Sequence, residues 1–508
     1  MANTYEEIRT YITENQESPE GYYQLGEYLS GKNPQQAYLC FENAYFYSSC
    51  KEQAYADAMK EMAQRGGRVP KTAMVILSYN NRPLTQQCIE SIRRTTPESA
   101  REIIMIDNAS ADDSVEYLRE QKDIILIENE VNEGFTKGCN LGIEAADSES
   151  DILLLNNDTV LMNNTLFWLR MGLYENDLIG AAGSVANKAW RQWSGEREGD
   201  MEYFIRHASE VNVPMENPLE YRTWLVGFCM LIKRTVLNQT GVLDELYSPG
   251  NGEDLDICLR ILLKGYFNVL VKNSYIVHLE HVSFSKRADY GRLLSVASEK
   301  QKKKFGFQVD AERYLYPSFC SELFEKYAVG AEKVLVMNCS MGADVYSIAG
   351  NHPNIYIEGI DRDPQTAQFR ITNSNVKMST YGDIKYTVVD EKFDCIIFNT
   401  ESVTMDEIDD YMDFCSKHLL PNGKLIVSVI NTKHFSNWCD VVLNGKNKNK
   451  IADNVVTMEH FNGAAKRVHM HSTLWYFAFS EPGQDETGKK VRELLDKMTE
   501  GSAKKPRT

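Results

Sequence analysis

Four short polar clusters punctuate the first third of the chain: Ser78-Tyr79-Asn80-Asn81, Asp107-Asn108-Ala109-Ser110, Asn132-Glu133-Gly134-Phe135 and Asn156-Asn157-Asp158. Three of them directly follow an apolar run, and all carry small amide, hydroxyl or acidic groups. Such groups suit a nucleoside, whose base imide and ribose hydroxyls need acceptors; Asp107 and Ser78 are the candidates. A diphosphate needs a divalent cation, and a hard cation such as Mg2+ or Mn2+ prefers carboxylate oxygen. Asp158, closing an apolar run, is the natural ligand. A single acid in such a place is as readily the cap of the next helix. Four clusters at corresponding places point to a site.

A second constellation lies downstream, where the apolar run Trp224–Ile232 is followed by Gly250-Asn251-Gly252-Glu253-Asp254-Leu255-Asp256. A glycine-rich loop delivering Glu253 and Asp254 to a helix start is a good mount for a general base. A carboxylate there takes the proton of a hydroxyl as its oxygen attacks. His278 follows two strand-like runs, Phe267–Val271 and Ser274–Val277, and is the candidate to complete a metal shell.

These residues need a frame. After the break Gly66-Gly67-Arg68-Val69-Pro70, extended and helical patterns alternate. Ala73–Ser78 precedes a helix from Pro83, Glu102–Asp107 a helix from Asp112, Ile124–Glu128 a helix from Gly134, and Asp151–Leu155 closes the series. Apolar strands spaced by helices imply a parallel sheet covered on both faces. Ligands of such sheets bind beyond the carboxyl ends of the strands, where the four clusters fall.

The whole chain has 508 residues, enough for two to four domains. Its formal net charge of −17 argues against nucleic acid as a partner. No apolar run reaches the roughly 18 residues of a membrane span. The polar, acidic N-terminus is no signal peptide. Eleven cysteines without a CxxC pair fit thiols in a reducing compartment, so the expected location is cytoplasmic.

With its pieces in order, the stretch 71–285 resembles the family-2 inverting glycosyltransferases of GT-A (Rossmann-like) α/β fold. It is most similar to the bacterial branch of rhamnosyl- and N-acetylhexosaminyl-transferases of surface glycans. The pieces are Val75–Asn80, Ile106–Ser110, Asn132–Phe135 with Gly138-Cys139-Asn140, Leu154–Asp158, Gly227, Gly252-Glu253-Asp254, and His278 followed by Ser283. The resemblance implies that Asp107 contacts a uracil or thymine base. It implies a nucleotide-sugar site also drawing on Ser78, Tyr79, Asn80, Asn108, Gly134, Lys137, Asn140, Asn156 and Asn157. Asp158 is then the last residue of a DxD-type metal motif whose first position is Asn156, and His278 joins it on Mn2+ or Mg2+. Asp254 takes the catalytic-base position, with Glu253 turned toward the acceptor. The implied donor is a UDP- or dTDP-sugar. The expected acceptor is a Ser or Thr of a protein such as flagellin, with a surface polysaccharide as the alternative.

Two flanking regions complete the expected organisation. Residues 1–66 read as helices, and Tyr22-x2-Leu25-Gly26-x2-Leu29 with Ala37-x3-Phe41-x2-Ala44 resembles one tetratricopeptide unit, which needs a neighbour to cover its face. A helical joint at 286–319, with helices over Arg287–Phe305 and Ser318–Tyr327, leads to 320–482. This region resembles a class I S-adenosylmethionine methyltransferase domain, with Gly342, Asp361 and Asp383 at its cofactor positions. Asn338 and Ser340 stand where that family has glycines, so a structural or acceptor-binding role is expected over methyl transfer. Residues 483–508 form a polar tail.

Overall fold

A computed structural model describes residues 4–279, 290–306, 317–365, 369, 375–400, 403–428, 458–468 and 470. Ser283 and the tail 483–508 lie outside the described residues. The chain divides into two compact units: 1–317 with 340–353 and 363–378, and 318–339 with 354–362 and 379–508.

The first unit opens with four helices, α1 (Tyr5–Glu14), α2 (Pro19–Leu29), α3 (Pro34–Tyr47) and α4 (Gln53–Met62). Thr4 and Glu7 form a reciprocal cap on α1, and the Asn33 side-chain Oδ1 accepts from Gln35 N and Gln36 N to start α3. Gly26 lets α2 close on α3, because a Cβ there would meet the Phe41 ring at 2.5 Å. The helices then give way to β1 (Thr72–Ser78), α5 (Arg82–Thr95), β2 (Arg101–Asp107), α6 (Ser114–Arg119), β3 (Ile124–Glu128), α7 (Phe135–Ala145) and β4 (Asp151–Asn156). Then follow β5 (Thr159–Leu161), α8 (Thr165–Leu173), β6 (Ile179–Ala186), α9 (Met201–Val211), β7 (Leu219–Arg222) and β8 (Cys229–Ile232). The series ends with α10 (Arg234–Thr240), α11 (Glu253–Leu263), β9 (Phe267–His278) and α12 (Tyr290–Phe305).

The early helices find their neighbour in α8. Gln36 donates to Met171 O at 2.8 Å and Asn43 to Asn164 Oδ1 at 3.1 Å. Glu42 pairs with Arg170, both almost fully buried. That pair is locked in place, since losing one partner would strand a charge away from water.

One sheet runs β3-β2-β1-β4-β8-β6-β9-β5, with β7 also on β9. Its first four strands are parallel, as the alternating pattern requires. The rest departs from an all-parallel sheet: β8 runs antiparallel to β4 and β6, and β5 antiparallel to β9. The two runs before His278 are a single strand, β9, and only Cys229–Ile232 of the run from Trp224 is a strand. Val75, Ile104, Leu154, Met230 and Leu270 share one core cluster, so the two halves of the sheet bury one continuous interior.

A second sheet has five strands, ordered β12 (Val376–Thr380), β11 (Tyr356–Asp361), β10 (Lys333–Met337), β13 (Phe393–Asn399), β14 (Leu419–Ser428), and all but β12 lie wholly in the second unit. β10 is parallel to β11 and β13, and β13 to β14. Leu335, Ile396, Phe398 and Tyr411 anchor its core.

Candidate active site

The ends of β1, β2 and β4 are in register: Ser78 lies opposite Asp107, and Leu77 opposite Asn156. Three of the four polar clusters are thereby brought to one edge, and Asn108 ties in the fourth. Its amide donates to Asn132 Oδ1 at 2.9 Å, and its oxygen accepts from Asn129 Nδ2 and Glu133 N at 3.0 Å each. Gly134 needs to be glycine, for its φ is 80° and a Cβ would meet Pro249 backbone at 2.8 Å. That close approach places the loop before α7 against the loop before α11.

Asp107 is 1% exposed, and its Oδ2 accepts from Ser110 N at 2.9 Å. Its Oδ1 is buried with no hydrogen-bond partner, an uncompensated acceptor of the kind a ligand N–H satisfies. It lines a cavity of about 520 Å3 with Ser110, Arg119 and Glu128. A larger cavity of about 890 Å3 lies between the N-terminal helices and α9, and no strand-end cluster lines it.

The other expected nucleotide-site residues divide by what their side chains touch. Tyr79 is half exposed. Asn80, at φ 58°, accepts from Ala111 N on its Oδ1 at 2.8 Å and donates its own N–H to Ser110 Oγ at 2.7 Å, so it braces the Asp107 loop. Ser78 is fully buried and its hydroxyl is shared with Thr85 at 3.0 Å, which removes it as a direct ribose contact. Thr85 also receives Asn157 Nδ2 at 3.0 Å, linking β1 to the Asn156-Asn157-Asp158 turn. Asn140 is turned to the loop before α11, donating to Leu243 O at 2.9 Å and accepting from Leu243 N at 3.1 Å. Lys137 pairs with Glu133 at 2.7 Å.

Asn156 N donates to Phe228 O, and Leu279 N to Asp158 O, both at 2.9 Å, which pins the turn on two sides. Thr159 pairs with His278 across β5 and β9, so the Asp158 carboxylate meets the imidazole. His278 Nδ1 lies 2.7 Å from Lys188 O. A carbonyl only accepts, so Nδ1 carries a proton, and Nε2 faces Asp158 Oδ1 at 3.3 Å. Without a second proton these are two lone pairs held face to face, and a cation between them relieves the repulsion. One imidazole nitrogen and one carboxylate oxygen suit Mn2+ or a similar ion. Among the described residues no cluster of three or more acidic, cysteine or histidine side chains forms, so further ligands would be phosphate oxygens and water.

Glu253 and Asp254 open α11 behind Gly252, whose φ of 94° sets the turn. Asp254 stays partly exposed and accepts from Leu255 N at 2.7 Å and Gly227 N at 3.1 Å. Burial raises its pKa above the usual carboxylate range, against the pull of those backbone N–H groups. Glu253 is more deeply placed and its Oε2 has no partner. Burial first, and then the charge of Asp254, push its pKa up to about 8. Two adjacent carboxyls with unlike surroundings separate into one held protonated and one free to ionise. Lys304 of α12 pairs with Asp244 and Asp256 at 2.5 Å each, anchoring the segment that leads into α11.

Several positioning groups carry no signature in the sequence. Lys188 O and Gly227 N act through backbone atoms, and Asn187 Oδ1, which accepts from His278 N at 2.8 Å, and Thr85 belong to no motif. After β10, Asn338 and Ser340 adopt left-handed φ of 54° and 51°, a conformation that strains every residue but glycine. The Asn338 amide donates to Asn399 O at 2.7 Å and its oxygen accepts from the Tyr381 hydroxyl. Asp383 accepts from Lys385 N at 3.0 Å and so caps a short turn.

One α/β unit thus holds a buried, unpartnered acid oxygen at Asp107, the Asp158–His278 pair, and the adjacent carboxyls of Glu253 and Asp254. Residues 74–240 match the family described as Glycosyl transferase family 2, and this stretch carries a glycosyltransferase domain of that family. Glu253, Asp254 and His278 lie just beyond the matched residues. Among solved structures, a mannosyltransferase from Pyrobaculum calidifontis, PcManGT in complex with GDP-Man and Mn2+, shares 18% identity at a TM-score of 0.35, over 46% of this chain and 65% of its own. GalNAc-T7 with UDP, GalNAc and Mn2+ shares 15% identity at a TM-score of 0.36, over 57% of this chain and 55% of its own. The chain thus spans less than two thirds of the length of either. No curated protein matches the sequence.

Proposed function

We propose that this protein is an inverting, metal-dependent glycosyltransferase that moves a sugar from a UDP- or dTDP-sugar to a hydroxyl of a protein or glycan. The observation that carries this reading is the pairing of Asp158 with Nε2 of His278, whose ring stacks on Phe228 next to the Gly227 that donates to the partly exposed Asp254, in a chain whose residues 74–240 match family 2. Asp107 Oδ1 accepts the base imide N–H. Asp254, ionised, takes the proton of the acceptor hydroxyl while the acceptor oxygen bonds to the anomeric carbon. The bond from that carbon to the diphosphate oxygen breaks, its electron pair leaves with the diphosphate, and the anomeric configuration inverts. A divalent cation, when bound, neutralises the charge on that leaving group. Glu253, protonated beside Asp254, leaves its neighbour as the only ionised carboxylate of the pair.

The division proposed for the whole chain is helices at 1–66, the transferase domain at 71–285, a helical joint at 286–319, and a methyltransferase-like domain at 320–482 that does not transfer methyl groups. No described helix is long and apolar enough to cross a membrane; action in the cytoplasm on a nucleotide sugar is part of the proposal. The test is a panel of UDP-, dTDP- and GDP-sugars incubated with Mn2+ and followed by release of free nucleoside diphosphate. Turnover of a UDP- or dTDP-sugar is the expected outcome. Turnover of none of them overturns the reading.

A further inference from the structure

The segment between β6 and α9 is held at both ends of the site. Asn187 Oδ1 and Lys188 O accept from His278 N and Nδ1. Four residues on, Gln192 is 1% exposed, accepts from Val226 N at 2.6 Å and donates to Ser184 O at 3.0 Å. The turn therefore runs from the cation pair toward the residues that hold Asp254, with its frame buried. What it presents outward is aromatic. Trp190 and Trp193 are 52% and 54% exposed. Leaving two indoles half in water forgoes the burial that makes such rings valuable, and rings with one apolar face and a polar N–H are favoured at binding surfaces.

The rings are not placed at random. Trp190 packs on Trp224 with centroids 5.0 Å apart and a 57° tilt. The Trp224 indole in turn stands beside the Asp254 carboxylate, three residues before Gly227, which donates to it. The Arg197 guanidinium lies 5.7 Å from the Trp193 ring centre. Meanwhile the backbone of the turn is spent internally: Ala186 N donates to Gln192 O, Ser194 N to Ala186 O, and Gln192 N to Ala189 O. Arg191 O receives the Arg222 guanidinium at 2.6 Å. An extended peptide recognises a strand edge through free N–H and C=O groups, and this turn has little of that kind to give. A pyranose needs the opposite. Its ring carbons present a face of C–H bonds that stacks on an indole, while its rim of hydroxyls turns outward to polar groups.

We infer that Trp190, backed by Trp224 and flanked by Trp193, is a stacking subsite for a pyranose ring of the acceptor, so the hydroxyl that Asp254 deprotonates belongs to a glycan. This inference rests on the transferase reading for the identity of Asp254 as the base. The subsite itself is a property of the tryptophans and is measurable without donor, metal or turnover.

The test is intrinsic tryptophan fluorescence of the full chain titrated with methyl hexopyranosides and methyl N-acetylhexosaminides, against a Ser/Thr-rich peptide as the other arm. The expected result is a saturable shift with at least one glycoside and none with the peptide. Trp190→Ala should weaken that binding about tenfold or more, and Trp190→Phe, which keeps a flat ring, should stay within about threefold of the parent. Trp193→Ala serves as a second variant if Trp190→Ala does not fold. Saturable binding of the peptide alone, or glycoside binding indifferent to both tryptophan substitutions, overturns the subsite. Glycoside binding that depends on Trp190 in a protein that turns over no nucleotide sugar would leave the subsite standing and bring down the transferase reading instead.

Discussion

Replacing Asp254 by Asn removes the proposed base with the smallest change of shape. The carboxylate accepts two backbone hydrogen bonds, from Leu255 N at 2.7 Å and Gly227 N at 3.1 Å. An amide keeps one oxygen for one of these and sets an NH2 group against the other, a loss of about 1–3 kcal/mol. Against that, the buried carboxylate is held at a raised pKa, so the amide is relieved of a desolvation cost that the charge bears. The two effects oppose each other, and a melting temperature within about 4 °C of the parent is expected. Catalysis is not compensated. An amide accepts no proton from an attacking hydroxyl, and the loss of a general base costs roughly 10²–10⁴-fold in rate, or about 3–5 kcal/mol of barrier. Because the base touches the acceptor and not the nucleotide, donor affinity should stay within about threefold. The assay is initial-rate release of nucleoside diphosphate with donor affinity measured in parallel by calorimetry. Turnover in Asp254→Asn within about tenfold of the parent, with the protein folded, would refute the assignment.

Glu253→Gln probes the same pair from its protonated side. Glu253 has a pKa raised to about 8 by burial and by the charge of Asp254, so it is still protonated where Asp254 ionises, and an amide mimics that neutral form. A base works only when ionised, so turnover climbs with pH through the Asp254 pKa. In Glu253→Gln that climb should therefore stay within about half a unit of the parent in the kcat/KM profile, and any change of rate near pH 8 that comes from Glu253 ionising should disappear; an acid limb moved by a full unit or more would show Glu253 charged where Asp254 titrates and contradict the assignment. Excess EDTA should abolish turnover and Mn2+ or Mg2+ restore it, with His278→Ala needing more Mn2+ for half-maximal rate. Activity persisting in the chelator removes the cation from the mechanism. The full chain should show no heat of S-adenosylmethionine binding up to about 0.1 mM cofactor, because side chains at Asn338, tied to Asn399 O and the Tyr381 hydroxyl, and at Ser340 stand in the turn where close approach of a cofactor to the backbone needs glycine. Micromolar binding, lost in Asp361→Ala, would reverse that view of the second unit.

The residues proposed for the chemistry were legible as candidates because chemistry needs particular side chains. Asp107, Asp158, Glu253, Asp254 and His278 stand out as acids and an imidazole at the ends of apolar runs or just after glycines. The parallel core of β1, β2 and β4 was legible for a related reason, since strands buried on both faces must be apolar throughout. The antiparallel half of the sheet was not. β5, β6 and β7 are short or rich in small residues, such as Ile179-Gly180-Ala181-Ala182-Gly183, and their direction depends on partners far along the chain. Roles within the site divide in the same way. Ser78 and Asn140 have the side chains of ligand contacts, but tertiary neighbours, Thr85 and Leu243, claim them first. The tautomer of His278 is set by the carbonyl of Lys188, and the hold on Asp254 by the amide of Gly227. Every residue but proline carries that carbonyl and that amide, so nothing in the order of side chains shows which ones will be used. Only the path of the folded backbone decides it.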